Sequence, residues 1–193
     1  MTWGREMQQV LQEPLILWAL RSFLAVLFAA AAISKLTGIE EFHGVVRNFR
    51  LLPEGPSRWV AMILPVVELA VAAGLLIGPL VVPAAIAASA LLAGFGLAIM
   101  INVLRGRTWI DCGCFRNGMK QRISWVMVGR NAVLTAMALG VVALQPLARS
   151  AGPVDLVTGA MAGAALVLLY FSASMLGGLP ARQNPTSSFV KGR

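Results

Sequence analysis

Five apolar runs, each close to the length of a bilayer crossing, take up most of this chain. They cover residues 15–33, 59–77, 82–104, 123–144 and 154–176. A helix needs about 20 predominantly apolar residues to cross the hydrocarbon core, and backbone in lipid must satisfy its own hydrogen bonds. The pattern predicts an all-α polytopic membrane bundle of about five transmembrane helices. Only 12% of the residues are charged, against about 25% in a soluble domain. On a soluble chain the net charge of +8 would suggest nucleic acid. Here Lys and Arg collect in the loops between the runs, the distribution membrane topology produces, so a lipid bilayer is the expected partner and nucleic acid is not. Arg5, Glu6 and Glu13 precede the first run, which is too long for the apolar core of a signal peptide, so it reads as a retained anchor. The chain divides into an N-terminal segment (1–14), a membrane domain (15–178) and a flexible tail (179–193).

Between the first two runs, Phe42, Val45, Val46, Phe49 and Leu52 recur at helical spacing, with Glu40, Glu41, Arg47 and Arg50 between them. This predicts a short amphipathic helix on the membrane surface. The single histidine, His43, falls on it and is expected to be solvated. Gly78-Pro79 predicts a tight turn between the second and third spans. Gly74-x-x-x-Gly78 and Gly159-x-x-x-Gly163 are small-residue faces that allow close helix contact, within one chain or between two. Lys35, Arg47, Arg50, Arg58, Arg105, Arg107, Arg116, Lys120, Arg122, Arg182, Lys191 and Arg193 fall on one side; Arg5 and Arg149 fall on the other. The positive-inside rule then puts the N-terminus outside, and loop one, the third loop and the tail in the cytoplasm of a multi-pass inner-membrane protein.

The third loop holds Ile110-Asp111-Cys112-Gly113-Cys114-Phe115, with the chain's only two cysteines. A lone glycine lets the backbone turn tightly enough for the thiols to approach disulfide distance. The ring so closed is small and constrains the unfolded chain little, which favours a reversible dithiol over a structural bridge. Arg105, Arg107 and Arg116 flank the pair, and cationic neighbours favour the thiolate, the reactive form. A soft-metal site helped by Met100 or Met119 stays open, although two cysteines cannot complete a four-thiolate zinc site. No resident metal or cofactor is expected.

Charge also enters the spans. Glu68 lies mid-span, and an unpaired carboxylate there is costly. Taking a rise of about 1.5 Å per residue, Glu68 lies roughly 15 Å from the loop-one face and Arg130 roughly 12 Å from the same face. Arg21 is counted from the opposite face and is off in level, and Lys35 reads as too shallow. The expected intramembrane charge pair is Glu68–Arg130.

Ala32-Ile33-Ser34-Lys35-Leu36, Leu51-Leu52-Pro53, Leu64-Pro65-Val66-Val67-Glu68-Leu69 and the Asp111–Phe115 motif together resemble the MauE/DoxX family of redox-associated membrane proteins, the last pointing to the MauE branch. The resemblance covers roughly residues 15 to 145. It implies a part in methylamine utilisation, in maturing the disulfide-rich subunit of methylamine dehydrogenase with a thioredoxin-like partner. It also implies work outside the cytoplasm, whereas the charge count places the thiols inside. The expected function is relay of thiol–disulfide or electron equivalents through Cys112 and Cys114 to a client protein. Two alternatives stand beside it, a non-catalytic membrane assembly or anchor subunit of DoxX type and a soft-metal carrier.

Overall fold

The computed structural model describes residues 14–110 and 122–177. Expectations for the N-terminal segment, for Cys112, Cys114 and Arg116, and for the tail lie outside the described residues. The described residues form six helices: α1 (Pro14–Leu36), α2 (Ile39–Phe49), α3 (Glu54–Leu76), α4 (Val81–Leu104), α5 (Trp125–Leu144) and α6 (Pro153–Gly177). All but α2 are long and apolar enough to cross a membrane. The helix ends have local causes. Pro53 precedes α3 and Pro56 lies in its first turn, where a missing N–H costs nothing. Ile77 is extended, a single 3-10 turn covers Gly78–Leu80, and α4 begins at once. Ser124 is extended and starts α5, two residues later than the apolar run suggested.

α1 packs against α3, α5 and α6, while α3 packs on α4 and α4 on α5. Helices α1, α3, α4 and α5 thus close a ring, and α6 lies outside it against α1. Lipid tails are as apolar as leucine, so such contacts depend on close approach. Both glycines of the α6 motif face α1: a Cβ on Gly159 would sit 2.5 Å from Trp18 Cβ, and one on Gly163 2.6 Å from Ser22 Cβ. The motif works within the chain. Gly74 meets Ala84 at 2.8 Å in the same sense, whereas Gly78 meets nothing within 4 Å.

Arg21 serves the far end of α3. Its Nε donates to Leu75 O at 2.8 Å and a terminal nitrogen to Leu76 O at 3.3 Å, and its guanidinium stacks 4.0 Å from the Trp18 ring. The last four carbonyls of a helix have no partner within it, and a cation there also suits the helix dipole.

At the other end α1 stops early. Leu36 ends it, yet Lys35 reaches Glu68, fourteen positions inside α3. At about 1.5 Å per residue, α3 runs on for roughly 20 Å beyond that level. α2 fills the step. It packs on α3, buries Phe42 and brings His43 Nε2 to 3.1 Å from the Oγ of buried Ser57. His43 is therefore half-buried and hydrogen-bonded, not solvated as its place on an amphipathic helix suggested.

Candidate functional site

The segment containing both cysteines leaves α4 and returns to α5 through a closed base. Ile123 N donates to Ile110 O at 3.0 Å. Both isoleucines are buried with Ile99 and Met127, and Phe49, Val103 and Val128 pack on that cluster. Asn102, fully buried, donates its amide to Ala98 O at 3.1 Å. Its Oδ1 accepts from Arg107 at 3.2 Å, and Arg107 also donates to Asn48 O at 2.9 Å and Phe49 O at 3.5 Å. These are the last residues of α2 and carry carbonyls the helix leaves open. Arg107 thus ties the approach to the cysteine segment to loop one, so the flanks of that segment and loop one share one end of the molecule. Arg105 is exposed at the C-cap of α4.

Deeper in the ring lies the buried charge. Lys35 Nζ donates to both carboxylate oxygens of Glu68, at 2.7 and 2.8 Å, with Glu68 1% and Lys35 5% exposed. The expectation that Lys35 is too shallow is corrected: α1 ends at the level of Glu68 because α2 occupies the layer above. Arg130, the partner expected from depth, borders a small cavity together with Lys35, Glu68, Asn131 and Tyr170. Its guanidinium carbon lies 5.7 Å from the centre of the Tyr170 ring. Both cations and the carboxylate thus meet at one place, and Lys35 holds Glu68 in the two bonds above.

Beneath α2 is a second cavity of about 160 Å³, lined by residues of α2, α3, α4 and loop one, among them Phe42, Phe49, Val60, Phe95 and Ile99, with Lys35 of α1 the one charged wall among the described residues. An apolar groove of about 600 Å³ between α3 and α4 shares Val60 and Leu64 with it. Among the described residues no group of three or more His, Cys, Asp or Glu side chains could hold a metal.

The model for methylamine utilisation protein MauE matches residues 13–145. The chain belongs to the MauE family. The match covers α1 to α5 and stops short of α6. The chain is similar to a protein of Paracoccus versutus called methylamine utilization protein MauE, at 76% identity over 97% of this chain and 100% of that protein. It is also similar to the protein of the same name from Paracoccus denitrificans, at 59% identity over 97% of the chain and 100% of the relative, and to that of Methylorubrum extorquens, at 53% over 88% and 91%. No solved structure matches the chain. With its five apolar helices, it is a multi-pass membrane protein of the MauE family.

Sequence reasoning missed three connections: Lys35 to Glu68, Arg107 to α2, and His43 to Ser57. A signal for the second was present in Asn102, a polar residue near the end of an apolar span and five residues before Arg107. No comparable signal marked the first.

Proposed function

We propose that this chain supports maturation of methylamine dehydrogenase by relaying thiol–disulfide equivalents through Cys112 and Cys114. Membership of the MauE family supports the pathway. The observation that carries the mechanism is the closed base: Ile110 and Ile123 are hydrogen-bonded and buried, and Arg107 ties the approach to α2. A rigid mount of this kind suits a thiol pair that must meet a partner. Cys112 is two residues from Ile110 along the chain, so the tether is short.

In the relay, two client thiols exchange with a Cys112–Cys114 disulfide. The client gains a disulfide and loses two protons and two electrons, and the pair becomes a dithiol. A thioredoxin-like protein is the natural class of partner for that exchange. Arg105 and Arg116 would stabilise the thiolate of the pair that leaves when the client thiolate attacks. The engagement of Arg107 with carbonyl oxygens favours a second reading, in which the basic loop is scaffolding and the protein is a non-catalytic assembly subunit.

Replacing both cysteines by serine separates the two. In cells grown on methylamine, the relay requires the double variant to stay in the membrane at normal levels while active methylamine dehydrogenase falls at least tenfold. Unchanged enzyme would leave the assembly reading. On purified protein, titration against dithiothreitol and glutathione should give a two-electron transition at a potential more oxidising than about −300 mV, the range of structural bridges.

A further inference from the structure

A relay that oxidises clients must itself be reoxidised, and the cavity beneath α2 is placed for that step. We propose that it takes the ring of a lipid-soluble quinone, with the tail leaving through the groove between α3 and α4, and that this quinone is the electron acceptor of the thiol pair. The inference rests on the relay reading for its redox step, but its binding site is built from residues of α1 to α4 and loop one.

Four observations point to this class of ligand. The cavity and the groove share Val60 and Leu64, so an apolar path joins the interior to the α3–α4 face, where Ile63 and Val67 are exposed. The walls are apolar and aromatic, with Phe42, Phe49 and Phe95, which suits a planar ring. Among the described residues one polar side chain, Lys35, lines the cavity. An ammonium has three donors; Lys35 gives two to Glu68 and lies 5.4 and 5.6 Å from the centres of the Phe42 and Phe95 rings, so a carbonyl oxygen placed in the cavity competes for the third only with those ring faces. Charge then selects among acceptors. Arg130 lines the deeper cavity and not this one, and Glu68 already pairs with Lys35, so a phosphate or carboxylate head here would bring a negative charge that no further cation of the cavity wall matches. A neutral quinone carbonyl would not. The same cavity wall, Phe49 and Ile99, packs in the cluster that closes the base of the cysteine segment, which puts the cavity and the flanks of that segment at one end of the bundle.

The step balances as written. Cys112 and Cys114 each give up one proton and one electron and form the S–S bond. The quinone takes both electrons and both protons and leaves as the quinol.

The test uses the full-length protein in lipid nanodiscs with decylubiquinone as the probe, read by tryptophan fluorescence, since Trp59 lines the outer groove. Binding should saturate at one probe per chain. Ala98→Phe, which fills the cavity, should weaken it at least tenfold. Lys35→Gln combined with Glu68→Gln, which removes the ammonium together with the carboxylate it holds, should do the same, while Cys112→Ser with Cys114→Ser should leave it unchanged. Binding that never saturates, that ignores Ala98→Phe, or that oleate displaces as well as a second quinone does would overturn the site. Anaerobic mixing of reduced protein with the probe should then yield one quinol for each two thiols lost. Thiols that respond to glutathione but not to bound quinone would overturn the acceptor and spare the relay. Thiols that respond to neither, with binding intact, would sink the relay and spare the site.

Discussion

At the scale of single residues, the Lys35–Glu68 pair shows what reading depth from sequence can miss. Counting positions from loop ends assumes that every span starts at the same plane. α1 ends a layer below the start of α3, and a lysine that reads as shallow is then at the level of a mid-span carboxylate. A buried pair of this kind gives little net stability, yet losing one partner strands the other and costs about 3–5 kcal/mol. Glu68→Gln or Lys35→Met alone should therefore lower the thermal midpoint of the purified protein sharply. Lys35→Met with Glu68→Leu should recover most of the loss. A double variant no better than the singles would mean that Arg130, on the same cavity, carries part of the balance.

Among the helices, the apolar runs made the five spans legible, because chain length and hydropathy alone decide what can cross a bilayer. The order of packing was not legible, since small-residue motifs do not name their partners. Gly159 and Gly163 turn out to receive Trp18 and Ser22 of α1. Gly163→Leu should push α6 off α1, and its effect is local: α6 should become sensitive to protease or hydrogen exchange while the ring stays folded. α2 was visible from its periodicity, but its attachment was not. Arg107 holds it by a planar fork of donors that lysine lacks. Arg107→Lys should loosen Ile39–Phe49 in hydrogen exchange as much as Arg107→Ala does. If Arg107→Lys matches the parent protein, charge alone holds the helix there. The candidate site was only partly legible in the sequence: the cysteine motif marks itself by composition, whereas its base depends on pairing Ile110 with Ile123 across a loop.

For the molecule as a whole, the side of the membrane is the leading question. Arg47, Arg50, Arg58, Arg105, Arg107 and Arg122 gather at the end where α2 and the base of the cysteine segment lie, which is the pattern of a cytoplasmic face. The charge pattern requires an impermeant maleimide to label Cys112 and Cys114 in inverted vesicles only, whereas direct exchange with a client outside the cytoplasm requires labelling in intact cells, so this one measurement decides between them. Rapid labelling from outside would reverse the orientation but leave the shared end of loop one and the cysteine flanks in place, since Arg107 fixes it.

The arrangement of α6 also bears on how the chain is made. Of the six described helices, α1 is made before the others, and its neighbour α6 is made after them. Through the synthesis of everything from α2 to α5, the stripe of α1 carrying Trp18 and Ser22 waits uncovered in the translocon or the lipid. The match to the MauE model ends at residue 145, just where the ring is complete and that stripe is still open. A chain halted there would hold a finished ring with one vacant seam, and the last helix docks onto a scaffold that already exists.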